Sequence, residues 1–216
     1  EEWHSIDARH ESFRYSLGHI LLVALIPSIC AYYSAVYLGW SIGVGEKIYL
    51  TANSAMMLSV AMYIALIAGV FALGLLAHWM AHTFGAEPTY TQTLELASYT
   101  STPLFMVGFA ALYPELWFVM MVGLAGLTYS VYLLYVGVPI LMHIPEERGF
   151  IYASSVVTCG LVLLVTVMAA TGVPYAGAVF NAVILIAALS AMNSQLYITT
   201  RLMFSLSLLI IGLSAS

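Results

Sequence analysis

Residues 90–149 read YTQTLELASYTSTPLFMVGFAALYPELWFVMMVGLAGLTYSVYLLYVGVPILMHIPEERG: two apolar segments, each carrying a proline, joined by Tyr113-Pro114-Glu115. The first half, 91–112, carries Glu95 near its start and is uncharged from Leu96 to Leu112; the second half, 116–140, has no charge at all. At about 1.5 Å per helical residue each half covers the roughly 30 Å hydrocarbon core of a bilayer. In lipid only a helix or a closed barrel satisfies its own backbone. The strict apolar and polar alternation of a barrel strand is absent, so both halves are expected to be helices. Pro103 and Pro139 each remove a backbone donor and are expected to kink them.

Working outward, composition agrees. The chain is 62% hydrophobic and 7% charged, against about a quarter charged in soluble domains. The expected fold class is all-α, a polytopic helical membrane bundle. Ten carboxylates against five basic residues, net charge -5, leave no basic surface for nucleic acid or anionic lipid. Cys30 and Cys159 lie singly in apolar segments and read as small buried side chains rather than ligands. The opening Glu1-Glu2-Trp3-His4 has no initiator Met. It alternates charges up to Arg14, lacks the basic start and short apolar core of a signal peptide, and is expected to continue a longer chain.

Trp3, Ile6, His10 and Phe13 recur at helical spacing, so 1–16 is expected to be a short cytoplasmic or interfacial helix. Membrane spans are expected at about 17–39, 53–77, 91–112, 116–140, 151–170 and 176–197. The last two come from one uncharged run, 150–200. As one helix it would be about 77 Å long, so it is expected to break at Thr171-Gly172-Val173-Pro174. Residues 202–216 form a short apolar tail. Arg9, Arg14, Arg148 and Arg201 fall on one side of these six spans and only Lys47 on the other. The excess of basic residues on the cytoplasmic side therefore puts both termini in the cytoplasm.

Several motifs carry a resemblance: Tyr99-Thr100-Ser101-Thr102-Pro103-Leu104, Ala111-Leu112-Tyr113-Pro114-Glu115-Leu116-Trp117, Tyr129-Ser130-Val131-Tyr132-Leu133-Leu134-Tyr135-Val136-Gly137-Val138-Pro139 and His143-Ile144-Pro145-Glu146-Glu147-Arg148-Gly149. They resemble the bacterial branch of the Yip (Ypt/Rab-interacting protein) family of integral membrane proteins, over about 1–169. The resemblance implies a five-helix membrane domain over 17–171, in the inner membrane of a bacterium. It also implies a non-enzymatic role organising the membrane or partner proteins, with the lipid bilayer, other membrane proteins or a second copy as partners. A second stretch, about 172–206, is similar to one late transmembrane helix of amino-acid permeases of the amino acid/polyamine/organocation superfamily. It would form an extra helix ahead of the tail over 172–216. The competing functional reading is a small-solute or ion conductor.

Candidate functional positions are polar residues inside apolar runs. Glu95, Ser98 and Thr102 share one helix face. A carboxylate within a span marks function by default, and the other reading of Glu95 is a water-accessible acid near the helix start, favoured by the dipole. Position favours the second, so Glu95 is expected at the interface with Ser98 and Thr102 turned into the bundle. Tyr129, Tyr132 and Tyr135 step by three and would line a polar groove with Ser130, or simply pack. His78 and His82 lie one turn apart but lack the Glu of HExxH, and no tight metal is expected there. His4, His10, His143, Glu87, Glu146 and Glu147 share the cytoplasmic face, either as a metal or proton site or as an ordinary interfacial rim. Asn193 and Ser194 would bond across helices. No nucleophile and base pair, phosphate loop or paired carboxylates occur at useful spacing, and nothing calls for a cofactor.

Overall fold

A computed structural model describes residues 2–9, 13–39, 47–170, 196, 199–205 and 207. The chain divides into two compact units, Glu1–Gly149 and Phe150–Ser216. Among the described residues every regular element is helical: α1 (Glu2–Arg9), α2 (Phe13–Tyr33), α3 (Ala52–Ala81), α4 (Tyr90–Met106), α5 (Leu116–Leu141) and α6 (Glu146–Ala170).

In the first unit α2 to α5 form an up-and-down bundle with α4 at its centre, packed against α2, α3 and α5. The helix ends follow from local chemistry. Thr51 caps α3 by accepting from the Ser54 amide. A capping box opens α4: the Thr89 amide donates to Gln92 Oε1 at 2.8 Å and the Gln92 amide to Thr89 Oγ1 at 3.5 Å, satisfying two orphan donors reciprocally. The prolines act near helix ends. After Pro103, α4 continues only to Met106 and tightens into a 3₁₀ segment, Val107–Leu112. Pro139 sits two residues from the end of α5, where its carbonyl accepts from the Ile144 amide at 3.2 Å. Pro27 is buried within α2, which ends in a π-helical turn, Ser34–Leu38.

Polarity is distributed inside out. The most apolar helices, α3 and α5, show lipid-type side chains outward: Met57, Ile64, Leu75, Met120 and Leu124 are all exposed. The helix richest in Ser and Thr, α4, is central and buries nine of its 17 residues. Hydrocarbon exerts no penalty on exposed leucine, whereas it penalises hydroxyls and charge, so the polar helix is the one that gains from enclosure. Glycine lets the backbones meet. A Cβ on Gly108 would lie 2.4 Å from Pro27 Cα, one on Gly74 3.2 Å from Leu94 Cα, and one on Gly126 2.3 Å from Val107 Cγ2.

Helix α1 lies against α5, with Trp3 buried; a Cβ on Gly137 would meet the Trp3 indole at 2.8 Å and Leu96 Cδ1 at 2.9 Å. Trp3 also meets Tyr99 edge-on at 6.2 Å. Across the helix ends His143 Nε2 stands 3.0 Å from Asp7 Oδ2. His143 takes a left-handed backbone, φ 51°. Of the helix expected over 1–16, Glu2–Arg9 forms α1, docked on the bundle through Trp3, while Phe13 to Ser16 already belong to α2.

Among the described residues three helices are long and apolar enough to cross a membrane, spanning Phe13–Leu38, Ala52–Phe84 and Trp117–Leu141. The first, second and fourth expected spans coincide with them. The third is more complex, because α4 alone is about 26 Å long and owes its remaining reach to the 3₁₀ segment. In the second unit α6 satisfies its own hydroxyls: Ser154 donates to the Phe150 carbonyl, Ser155 to Ile151 and Thr158 to Ser154, each at 2.9 Å. The break expected at 171–174, the domain boundary at 171–172, and Asn193 and Ser194 lie outside the described residues, as does the sixth span apart from Leu196.

Candidate functional site in the polar core

Glu95 is 3% exposed and Ser98 2%, so the acid is enclosed rather than bathed in water. The expectation of an interfacial, capping Glu95 is corrected. Thr89 and Gln92 already cap α4, and Glu95 lies beyond its first turn, where the dipole effect has decayed. The face it shares with Ser98 and Thr102 is instead the one covered by the surrounding helices. Ser98 and Thr102 are turned inward as expected, Thr102 being half-buried.

The contact that defines the site comes from α2. Thr102 Oγ1 donates to the Ser98 carbonyl at 3.0 Å and lies 2.9 Å from His19 Nε2. With the hydroxyl proton committed to the carbonyl, the imidazole must donate, which assigns a proton to Nε2. The His19 ring also stacks obliquely on Tyr99, with centroids 5.3 Å apart. Ser16, one turn before His19 on α2, is 2% exposed. The link between the helices is His19 of α2 on Thr102 of α4, with Tyr99 against His19 and Trp3 edge-on to Tyr99; Ser16 lies one turn before His19, and Ser98 and Glu95 one and two turns before Thr102.

The tyrosines divide. Tyr129 and Tyr132 lie on the outside, 54% and 58% exposed, with rings stacked at 6.1 Å; Tyr135 is half-buried. Ser130 is buried on another face of α5, so of the two alternatives the common groove, the less favoured, is not formed. A step of three residues falls about 60° short of a full turn, which fans the three rings around the helix.

His78 and His82 meet edge-on at 6.5 Å, and His78 also meets Tyr90 at 6.0 Å. Among the described residues no group of three or more His, Cys, Asp or Glu is placed to hold a metal. On the charged rim His143 is engaged by Asp7, while His4, Glu87, Glu146 and Glu147 are exposed and His10 is outside the described residues. Sequence reasoning passed over His19, Ser16 and the Trp3 contact. A titratable residue early in the first apolar run, with Ser16 one turn earlier, was the available signal for two of them.

A helical membrane bundle with a buried polar core is the class these observations define. The chain belongs to the Yip1 domain family, whose pattern matches residues 1–168. It is 37% identical over 153 residues to the inner membrane protein YohC of Escherichia coli K12, covering 71% of this chain and 78% of that protein. The same figures hold for YohC of Escherichia coli O6:H1. The chain is thus an integral membrane protein of that family, with relatives placed by name in the inner membrane. The family match stops short of the permease-like stretch at 172–206. No solved structure matches the chain.

Proposed function

We propose that this protein works without turnover chemistry, as an inner-membrane organiser that acts on lipid or on other membrane proteins through the outer faces of α3 and α5. The observation that carries the reading is the closure of the bundle. At Gly74, Gly108 and Gly126 neighbouring segments approach so closely that a single added methyl would collide or crowd, which supports tight packing over solute passage at those three points. What remains for recognition is the outer surface, where small residues Ala61, Ala65 and Gly69 recur every fourth position on exposed α3, a spacing that admits another helix. In this reading both termini are cytoplasmic, following the basic-residue excess.

A second reading, ion or small-solute conduction, is favoured by one observation, an enclosed Glu95 on the same helix face as the Thr102 that meets His19. Two measurements separate them. Photo-crosslinkers at Met57 and Tyr132 in native membranes should give a discrete protein adduct, either heterologous or a dimer of this chain, and proteoliposomes should show no protein-dependent flux. Lipid adducts alone together with saturable flux would reverse the order of the two readings.

A further inference from the structure

We propose that the seam between α2 and α4 is a buried proton-binding site, in which Glu95 and His19 hold an exchangeable proton among the hydroxyls of Ser16, Ser98 and Thr102. The inference stands apart from the organiser reading, since a protein that moves nothing can still bind a proton.

Register places the groups together. Helices α2 and α4 run in the same direction, pinned by His19 on Thr102 and by Pro27 on Gly108. Ser16 lies one turn before His19. Ser98 lies one turn before Thr102, and Glu95 one turn earlier again. Glu95 therefore lies about 10 Å along α4 from the contact of His19 with Thr102, with Ser16 and Ser98 in the layers between. The Ser16 and Ser98 hydroxyls are buried without a hydrogen-bond partner among the described residues. Enclosing such a group unsatisfied is unfavourable by a few kcal/mol, so each is suited to bonding a protonated neighbour.

The donor set selects the ligand. A hard divalent cation takes six or more oxygens, and one carboxylate with a few hydroxyls falls short. Backbone carbonyls that would complete a shell are already used: Ser98 by Thr102, Leu96 by Thr100 and Ala24 by Ser28. A carboxyl and an imidazole remain, the side chains that exchange protons most readily near neutrality. Loading adds one proton to the pair and unloading returns it to water; only O–H and N–H bonds form or break.

Among the described residues the other titratable or charged groups on the helices around α4 include Arg14 and Tyr15 of α2, both exposed, and Tyr90 at the start of α4. Tyr99 belongs to α4 itself. On α3 stand Tyr63, whose hydroxyl donates to the Leu21 carbonyl at 3.1 Å, and His78, which meets Tyr90; on α5 stands half-buried Tyr135. From α1 the inward residue is Trp3, which does not titrate, while Asp7 is held by His143.

The test uses the purified full chain in detergent, treated with an apolar carbodiimide that modifies protonated carboxyls in hydrocarbon, followed by peptide mass spectrometry. Modification should fall on Glu95, vanish in Glu95→Gln, and drop about tenfold per pH unit above the titration point. Sodium and potassium should leave it unchanged. Infrared difference spectra between mildly acidic and mildly basic buffer should show a protonated-carboxyl band that Glu95→Gln removes and His19→Gln shifts in pH. Protection of Glu95 by sodium or potassium at fixed pH would overturn the proposal in favour of a cation site. A Glu95 that stays ionised across the whole range, with no such band in the wild-type protein, would overturn it outright.

Discussion

Replacing Gly108 by alanine tests the packing on which both the fold and the functional reading depend. The added Cβ would lie 2.4 Å from Pro27 Cα and 2.8 Å from Pro27 N, about 1 Å inside ordinary carbon contact. The obstruction is backbone, held rigid by the proline ring, so no rotamer change relieves it. The 3₁₀ segment and α2 must separate, and overpacking of this kind costs about 1–3 kcal/mol. Gly123→Ala is the matched control, because nothing lies within 4 Å of a Cβ there. In a helix that change should be neutral or stabilising by up to about 1 kcal/mol. Reversible unfolding of both variants in mixed micelles, read by tryptophan fluorescence, gives the difference directly. Gly108→Ala should unfold well before wild type and Gly123→Ala with it or after. Equal stability of the two variants would show that α2 and the 3₁₀ segment are not in contact at this level, and with it the closed-bundle reasoning would fail.

Other changes probe α1, the helix ends and the topology. Trp3→Ala should free α1 from the Gly137 notch, destabilise the bundle by about 3 kcal/mol or somewhat more, and open the α1 segment to protease. His143→Gly should match or exceed wild type in stability, because it relieves a left-handed backbone worth about 1–2 kcal/mol and gives up an exposed pair worth at most about 1 kcal/mol. His143→Ala loses the pair without the relief and should be the less stable of the two by thermal unfolding. Lys47→Cys should react with a membrane-impermeant maleimide in intact cells; reaction only after permeabilisation would invert the proposed orientation.

The helices were legible because their signals are local. Long uncharged runs and the Tyr113-Pro114-Glu115 link mark α2 to α5 closely. What the runs do not carry is which side faces inward. In a soluble helix an apolar stripe answers that question, but α3 and α5 are apolar on every side, and the inward positions are marked instead by glycines such as Gly74 and Gly126. The tyrosines of α5 misled for the same reason: regular spacing suggested a face, and the face turned out to point outward at Tyr129 and Tyr132. Glu95 was judged by its distance from the helix start. Its enclosure comes from tertiary packing around α4, and His19 of α2 meets a threonine of that helix 83 residues away, a pairing that no local pattern encodes.

Once the polar helix is seen to be the central one, the division of labour in the bundle follows. A membrane offers little driving force for helices to associate, since lipid tails solvate leucine as well as another helix does. Cohesion must then come from what lipid cannot supply: backbone approach at glycine, and partners for hydroxyls and charge. Here both lie along α4, with Gly74 facing Leu94 and Gly108 facing Pro27, and with His19 on Thr102 between α2 and α4. Such a core does not require apolar residues of any special shape on the outside, so the outer faces of α3 and α5 are free to vary for lipid or partner. The buried Glu95, by contrast, carries a desolvation cost that a threonine or glutamine in its place would not. Its presence at the centre of a core so economical elsewhere argues that the carboxyl is kept for its proton.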